Sequence, residues 1–264
     1  MPFNVFLQFV RLRMKERMEY RAAYLLGVVI QIWGYGAQYL AVWLLLHRFR
    51  AIHGWSWPQI AFLCSLDLFT YALGAAFTFS PMTGLEQMVE QGTFDGVLVL
   101  PVNPYIYLTA RMYNLGYLAH VILSGFVLVW SITQLSIHWS ALTVLYLILI
   151  LISGVLLQAA AFTLLGTWAF IFVHAKFLFN LYYSIKTFIS YPISVYRASV
   201  QVLLTAVIPL AFINFYPATI LLSKEGQLFP GWIGWLAPLI GPLIFLTAYK
   251  IWMYGVDRYQ SAGG

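Results

Sequence analysis

The stretch AAYLLGVVIQIWGYGAQYLAVWLLL, residues 22–46, decides the fold class because it runs its whole length without a charged side chain. At about 1.5 Å of rise per residue, about 20 helical residues cross the hydrocarbon core of a bilayer. The whole chain of 264 residues is 62% hydrophobic and only 8% charged, whereas about a quarter of the residues of a soluble domain are charged. The sequence therefore predicts an all-α integral membrane protein whose single transmembrane domain covers residues 1–264.

Further apolar blocks predict five more spans. They lie at 59–79, 112–134, 142–173, 177–195 and 232–254. Hydropathy alone would add a seventh span at 199–222, but Pro209 and Pro217 divide this segment into pieces too short to cross a membrane, since an interior proline removes a helical hydrogen bond. We therefore expect six spans and a re-entrant helical hairpin over residues 196–222, which enters and leaves the membrane on one face.

The positive charge is concentrated near the N-terminus. The net charge is +6, and five of the 14 Lys and Arg residues lie in RLRMKERMEYR, residues 11–21. Basic residues beside a first span favour the cytoplasmic face and anionic lipid. We expect residues 1–21 to form an interfacial helix on a plasma or inner cell membrane, with both termini cytoplasmic. Nucleic-acid binding is not expected, because these basic residues are not accompanied by stacking aromatic side chains on a soluble surface.

Several catalytic signatures are absent from the sequence. It contains no Gly-Lys dipeptide, so a phosphate-binding loop of the G-x-x-x-x-G-K-[ST] type cannot exist in this chain. No histidine is followed by glutamate, no serine lies in G-x-S-x-G, and Cys64 is the only cysteine. We therefore expect no catalytic residue, no metal site and no cofactor in this chain.

Polar residues inside the apolar blocks are the candidates for a transport pathway. An ionisable group in hydrocarbon costs about 3 kcal/mol or more, so such residues face the bundle interior or a cavity. The candidate pathway residues are Asp67, Asn114, His120, Gln158 and Lys186. Asp67 and Lys186 are the most costly of these, and we expect them to line a pathway or to pair between two helices. The alternative is that these residues only form bonds between helices.

The stretch EQGTFDGVLVLPVNPYIY, residues 90–107, lies in the cytoplasmic connection 80–111 between spans two and three. The preceding residues MTGLEQMVEQG predict a short helix that has Glu86 and Glu90 on its polar side and ends at Gly92. We expect a cytosolic partner to contact this segment. The alternative is an ordinary structured loop.

The segment EQGTFDGVLVLPVNPYIYLTARM, followed downstream by YPISVY and VIPLAFINFYPA, resembles the permease subunits of type-2 ABC exporters, in the branch whose six-span chain carries no ATPase. The resemblance implies a basic connecting helix and a coupling helix that docks on a separate ATPase. We expect Phe94 to be an exposed apolar anchor of that contact. The resemblance also places Pro209, Asn214 and Pro217 in the re-entrant hairpin. The connecting helix would contain Arg11, Arg13, Lys15 and Arg17. The coupling residues would be Glu86, Glu90, Gly92, Thr93, Phe94 and Asp95.

The resemblance also implies the partners. Two copies of a cytosolic ATPase would bind ATP and Mg, and a second permease chain, the same or a related one, would complete a path for a hydrophobic or amphiphilic substrate. The residues themselves leave two other functions open. One is an ion-coupled carrier that uses Asp67 and Lys186, and the other is an intramembrane enzyme that acts on lipid with Asp67 or His120 as acid or base.

Overall fold

A computed structural model describes residues 21–49, 51–172, 176–224 and 228–260, together with Gln8, Arg11, Leu12 and Lys15. The regular structure in these ranges is helical, apart from one isolated β-bridge between Ile52 and Trp55. The helices are α1 (Arg21–Phe49), α2 (Trp57–Glu90), α3 (Asp95–Leu98), α4 (Pro104–Arg111), α5 (Leu118–Gln134), α6 (Ala141–Thr167), α7 (Phe177–Lys186), α8 (Ala198–Val202), α9 (Phe215–Leu221) and α10 (Ala237–Asp257).

Five helical segments in the described ranges are long and apolar enough to cross a membrane. They are Tyr24–Leu44, Trp57–Glu90, Leu115–Gln134, Ala141–Phe170 and Gly231–Asp257. A sixth results if the bent pair Ala198–Val207 and Leu210–Leu221 counts as one span. The prediction of a multi-span helical protein is confirmed.

The predicted span at 177–195 is not one long helix. Helix α7 has only 10 residues and continues as a 3₁₀ turn over Thr187–Ser190. Tyr191 then adopts an extended conformation, at φ −121° and ψ 158°, directly before Pro192. The proline disfavours helical geometry in the residue before it, so the helix ends there.

The segment after α7 is a bent helical pair. Helix α8 runs into a π-helical turn over Leu203–Val207, and the chain bends by 78° at Pro209. Pro217 does not divide the segment as predicted, because it lies in the first turn of α9. A proline there costs no intrahelical hydrogen bond.

Helix α2 is longer than the predicted span. It continues through Pro81 to Glu90, so the expected separate helix at MTGLEQMVEQG is the last part of α2. Met82, Leu85 and Glu86 are buried in this part of the helix, and their packing extends the helix beyond the proline. The N–H of Gln91 closes the helix, and Gly92 follows at φ +67°, as predicted for a glycine at this end.

Helix α6 is central to the bundle and packs mainly against α2 and α10, while α5 packs against α2. Small residues bring the α6 and α10 backbones together. A Cβ atom on Gly241 would collide with the carbonyl oxygen of Ser153, and the Ser153 hydroxyl donates a hydrogen bond to the carbonyl of Ala237. A side chain at position 241 would force α10 away from α6.

The predicted N-terminal helix lies partly outside the described residues. Gln8, Arg11, Leu12 and Lys15 are helical and exposed. Arg13 and Arg17 lie outside the described residues. The interfacial position of residues 1–21 therefore stays a prediction.

Candidate functional site

Asp67 and Lys186 form an ion pair inside the bundle. Asp67 lies in the first third of α2, and Lys186 is the last residue of α7. The Lys186 ammonium donates to Oδ2 of Asp67 at 2.5 Å, and the two side chains are only 12% and 10% exposed, respectively. The structure thus brings together the two most costly residues of the sequence, and both face the protein interior as expected.

Two further side chains hold the carboxylate of Asp67 in place. The Gln158 amide on α6 donates to Oδ1 of Asp67 at 2.9 Å, and the Tyr182 hydroxyl donates to Oε1 of Gln158 at 2.6 Å. Both Gln158 and Tyr182 are buried. The bonds join α2, α6 and α7 in one network, and partners of this kind fix the orientation of a buried charge.

A cavity of about 200 Å³ opens beside the ion pair. Its walls come from three helical stripes, each with spacings of three or four residues, which place side chains on one helix face. We call it the tyrosine cavity. It is lined by Tyr35, Tyr39, Cys64, Asp67, Leu68, Tyr71, Tyr183, Lys186, Thr187 and Ser190.

The tyrosine rings give the cavity its chemistry. The Lys186 ammonium lies 4.8 Å from the centre of the Tyr71 ring, within the range of a cation–π interaction. The hydroxyls of Tyr71 and Tyr183 are hydrogen-bonded at 2.9 Å. The buried hydroxyl of Tyr39 has no hydrogen-bond partner among the described residues. The cavity therefore presents the Asp67–Lys186 ion pair, aromatic faces and the unpaired hydroxyl of Tyr39.

His120 and Asn114 have different surroundings. The His120 ring packs 4.4 Å from that of Tyr35, and Nδ1 of His120 has no hydrogen-bond partner in the described ranges. His120 thus packs against Tyr35 of the cavity wall and does not itself line the cavity. Asn114 accepts a hydrogen bond from the N–H of Gly116 at the start of the turn that precedes α5. Its backbone N–H also donates to the carbonyl of Ala76 on α2, and it does not line the cavity.

No metal site is visible in the described residues, since no group of three or more His, Cys, Asp or Glu side chains there is arranged to hold an ion.

Glu86 occupies a buried position at the end of α2. Its carboxylate accepts a hydrogen bond of 2.9 Å from the backbone N–H of Lys176, and the Lys176 ammonium lies 3.7 Å away. Lys176 directly precedes α7, and a carboxylate at a helix N-terminus is favourable. The expectation that Glu86 lies on an exposed polar side is therefore wrong, because it closes the start of α7. Glu90 and Thr93, in contrast, are exposed.

The expectation that Phe94 is exposed is also wrong. Phe94 is 0% exposed and packs against the rings of Phe170, Trp252 and Tyr259. We call these four residues the aromatic cluster. An aromatic ring gains about 1 kcal/mol from such contacts beyond its area burial, and the turn at Gly92 directs Phe94 inward between the ends of α6 and α10.

The exposed apolar residues of this connection lie further along the chain. Leu98 ends α3, and Val99, which follows it, is 81% exposed. Asp95, the first residue of α3, is half-buried. We call residues 87–101, the segment predicted to contact a cytosolic partner, the docking loop. The exposure of Val99 was not predicted from the sequence, because its apolar neighbours Val97 and Leu98 give the same local signal.

Helix α4 ties the docking loop to the bundle. Asn103 caps α4 by accepting from the N–H of Ile106 and donates to the Tyr249 hydroxyl on α10 at 2.7 Å. The hydroxyls of Tyr105 and Thr163 on α6 bond at 2.8 Å. Burial raises the pKa of the Tyr105 phenol to about 12, so the phenol stays protonated at neutral pH.

Asn214 connects the bent pair to the rest of the bundle. It lies between Pro209 and α9, and its amide donates to the carbonyls of Ile189 at 2.7 Å and Leu63 at 3.3 Å. The hydroxyls of Thr205 and Tyr216 bond at 2.8 Å across the bend. Pro209, Asn214 and Pro217 therefore lie in one compact segment beside α2.

Sequence reasoning identified Asp67, Gln158 and Lys186 but missed the tyrosines. The signal was present as spacing, since Cys64, Asp67 and Tyr71 recur on one face of α2, and Tyr183, Lys186 and Ser190 do so after α7 begins. With 18 tyrosines in the chain, composition alone could not select those that line the cavity.

Comparison with known proteins assigns the chain to a family. Residues 32–263 match the family model described as ABC-2 family transporter protein. Neither a curated protein nor a solved structure gives a match. The family match covers most of the chain, including every residue of the ion pair, the tyrosine cavity and the docking loop. The chain thus belongs to the ABC-2 family of transporter proteins, as a multi-pass permease subunit.

Proposed function

We propose that this chain is the membrane subunit of an ATP-driven exporter of a hydrophobic or amphiphilic substrate. Two copies of a separate cytosolic ATPase bind ATP and Mg, and a second permease chain, the same or a related one, completes the pathway. The observation that carries the proposal is the family match over residues 32–263 in a chain that contains no Gly-Lys dipeptide. Such a chain needs an ATPase partner to use ATP through a phosphate-binding loop.

The docking loop is the proposed contact for the ATPase. Val99 and Leu98 offer exposed apolar side chains, with the exposed Glu90 and Thr93 nearby in the chain. Phe94 supports this surface from beneath instead of contacting the partner. Apolar anchors surrounded by polar groups are typical of protein interfaces.

Three connections within or beside the docking loop would carry its movement into the bundle. Phe94 packs on Trp252 of α10, Asn103 bonds to Tyr249 of α10, and Glu86 bonds to the start of α7. Helix α7 carries Lys186 at its other end. A shift of the loop would therefore change the position of Lys186 relative to Asp67, and a substrate biases the states only through its different affinity for each.

Co-purification tests the proposal. The native complex is isolated through a tag on this chain, and we expect a soluble ATPase to be recovered with it and ATP to drive export. Val99→Asp should reduce both recovery and export at least tenfold without loss of the folded chain. Leu228→Asp is the matched control, because Leu228 is a half-exposed apolar residue in the connection before α10, on the proposed outer side. Undiminished ATPase recovery with Val99→Asp would contradict docking at this loop.

The proposed topology places both termini in the cytoplasm of a cell with the protein in its plasma or inner membrane. In a Cys64→Ala background, Leu228→Cys should react with an impermeant thiol reagent from outside. Gln260→Cys should react only after the membrane is opened. External labelling at position 260 would refute the orientation.

The buried ion pair favours one alternative, an ion-coupled carrier. Asp67 and Lys186 lie inside the bundle beside the cavity, where charged residues can bind or release an ion during transport. Transport by reconstituted chain alone, driven by a proton or sodium gradient without ATP, would support the carrier. Transport that requires the ATPase and ATP would exclude it.

A further inference from the structure

We propose that the tyrosine cavity binds an organic ammonium group and that Lys186 is its tethered internal competitor. The inference rests on the proposed function in naming this ligand as transported cargo. It assigns to the cavity a ligand class defined by a positively charged nitrogen with apolar substituents.

The cavity already holds an ammonium group, which belongs to Lys186. Lys186 places its Nζ atom 2.5 Å from Oδ2 of Asp67 and 4.8 Å from the Tyr71 ring centre. A carboxylate combined with aromatic faces is the arrangement that recognises ligand ammonium groups in other proteins. The geometry therefore shows that the site accommodates such a cation, although the present occupant belongs to the chain.

Free space lies beside this ammonium group. The cavity of about 200 Å³ offers room for several water molecules or for the substituents of a small amine. Tyr35, Leu68 and Tyr183 provide apolar contact area in its walls, and the Tyr39 hydroxyl has no partner in the described ranges. A ligand that carries an ammonium group, an apolar body and one hydrogen-bonding group would satisfy all these surfaces.

An anion is not the preferred ligand of the cavity. Lys186 is the one basic residue among those lining the cavity, and Asp67 already engages it. An incoming anion would lie close to the Asp67 carboxylate and be repelled by it. Gln158 donates its amide N–H to Oδ1 of Asp67 and is itself held by Tyr182, so the carboxylate that would repel an anion is fixed in place.

Loss of Lys186 and loss of Asp67 should change the ligand affinity in opposite directions. The ligand and Lys186 compete for one carboxylate, so loss of Lys186 should strengthen ligand binding while loss of Asp67 abolishes it. A merely structural ion pair would let an amine replace the lost side chain in Lys186→Ala, but it would give no ammonium effect on the wild-type chain. An anion site on Lys186 would give the opposite signs.

The experiment measures thermal stability of the purified full chain in detergent with n-butylammonium, whose shape matches the end of the lysine side chain. Lys186→Ala should lower the Tm because Asp67 loses its partner, and n-butylammonium should raise it again, since a ligand that binds the folded state stabilises it. The apparent affinity should be at least tenfold higher in Lys186→Ala than in the wild-type chain. Lys224→Ala is the control, because Lys224 lies 4.6 Å over the Trp55 ring outside the cavity and should show no such rescue.

Two comparisons make the result specific. n-Butyrate, which has the same length and the opposite charge, should not restore Lys186→Ala, and n-butylammonium should have no effect on the double variant Asp67→Asn/Lys186→Ala. Rescue by n-butyrate, or rescue in the double variant, would overturn the inference.

A second assay uses the wild-type chain and does not depend on the folding of a variant. Cys64 is the only cysteine and lines the cavity, so its reaction with N-ethylmaleimide reports whether the cavity is filled. Benzyltrimethylammonium should slow the reaction at least threefold, whereas benzoate should not. Absence of an ammonium-specific effect on the wild-type chain refutes the inference, even if n-butylammonium rescues Lys186→Ala, but leaves the proposed function intact if the ATPase still co-purifies. Ammonium binding without any ATPase partner refutes the proposed function and keeps the site.

Discussion

The tyrosine cavity and the aromatic cluster are both built from aromatic side chains, yet one is hollow and the other is filled. In the cavity, Tyr71 and Tyr183 surround an ion pair and leave about 200 Å³ of space. In the cluster, Phe94 and Trp252 are both 0% exposed and pack ring against ring. Aromatic content therefore does not decide whether a region forms a pocket or packs closely, whereas the buried charges do.

The charges account for the difference through their solvation. A buried ion pair needs polar neighbours because the low-dielectric interior does not replace the water that each charge has lost. Gln158 supplies one such neighbour to Asp67, while the cluster rings gain most by excluding space altogether. The two regions should therefore respond in different ways to loss of a single side chain.

The largest effect is expected from breaking the ion pair on one side. Asp67→Leu leaves Lys186 buried without its carboxylate and should destabilise the folded chain by about 3–5 kcal/mol. The double variant Asp67→Leu/Lys186→Met removes both charges and should recover most of this loss. Chemical unfolding in detergent measures both, and a double variant as unstable as the single one would show that the pair itself stabilises the fold.

The aromatic cluster should respond in proportion to the lost packing. Phe94→Ala leaves a cavity between α6 and α10 and should cost about 3 kcal/mol in the free energy of unfolding. Phe126→Ala is the matched control, because Phe126 on α5 is 72% exposed and should cost less than about 0.5 kcal/mol. Equal losses for the two phenylalanines would contradict the assigned role of the cluster.

The long spans could be predicted from the sequence because a bilayer imposes one length and one composition on them. Residues 22–46 and 142–173 were predicted close to their helices. The segment 177–195 could not be predicted as it is, since whether Pro192 ends a helix or only bends it depends on the neighbours packed around it. The burial of Phe94 depends on Trp252, which lies far along the chain and gives no local signal.

The polar residues of the site were predictable, because burying them in hydrocarbon costs free energy. Asp67 and Lys186 stood out because a charge in hydrocarbon is costly whatever surrounds it. Tyr182 and Tyr39 did not, because a tyrosine suits a lipid interface, a core or a cavity equally well. Which of these it occupies depends on how each helix is rotated about its axis, and contacts between distant segments determine this rotation.

A smaller effect is expected within the network behind the cavity. Tyr182→Phe removes the hydroxyl that donates to Gln158 and leaves a buried amide oxygen without that partner, at a cost of about 2 kcal/mol. Tyr254→Phe is the control, because Tyr254 is more than half exposed. If Tyr182→Phe unfolds like the wild type, the Gln158 amide finds another partner and the network does not fix Asp67.

The smallest effect concerns the bond that ties the docking loop to α10. Asn103 has two separate roles, because its oxygen caps α4 and its amide nitrogen donates to the Tyr249 hydroxyl. Asn103→Ser keeps a capping oxygen but is too short to reach Tyr249, so it should cost about 1 kcal/mol. Asn103→Ala loses both roles and should cost about 1 kcal/mol more.

A double-mutant cycle with Tyr249→Phe separates these roles. Because Asn103→Ser and Tyr249→Phe remove the same hydrogen bond, their effects on the free energy of unfolding should be less than additive, by about 1 kcal/mol. The cap lost in Asn103→Ala does not involve Tyr249, so its extra cost should persist unchanged when Tyr249 is already phenylalanine. Full additivity of Asn103→Ser and Tyr249→Phe would mean that this bond contributes nothing, and the docking loop would then depend on aromatic packing, through the aromatic cluster and Tyr105, for its link to α10.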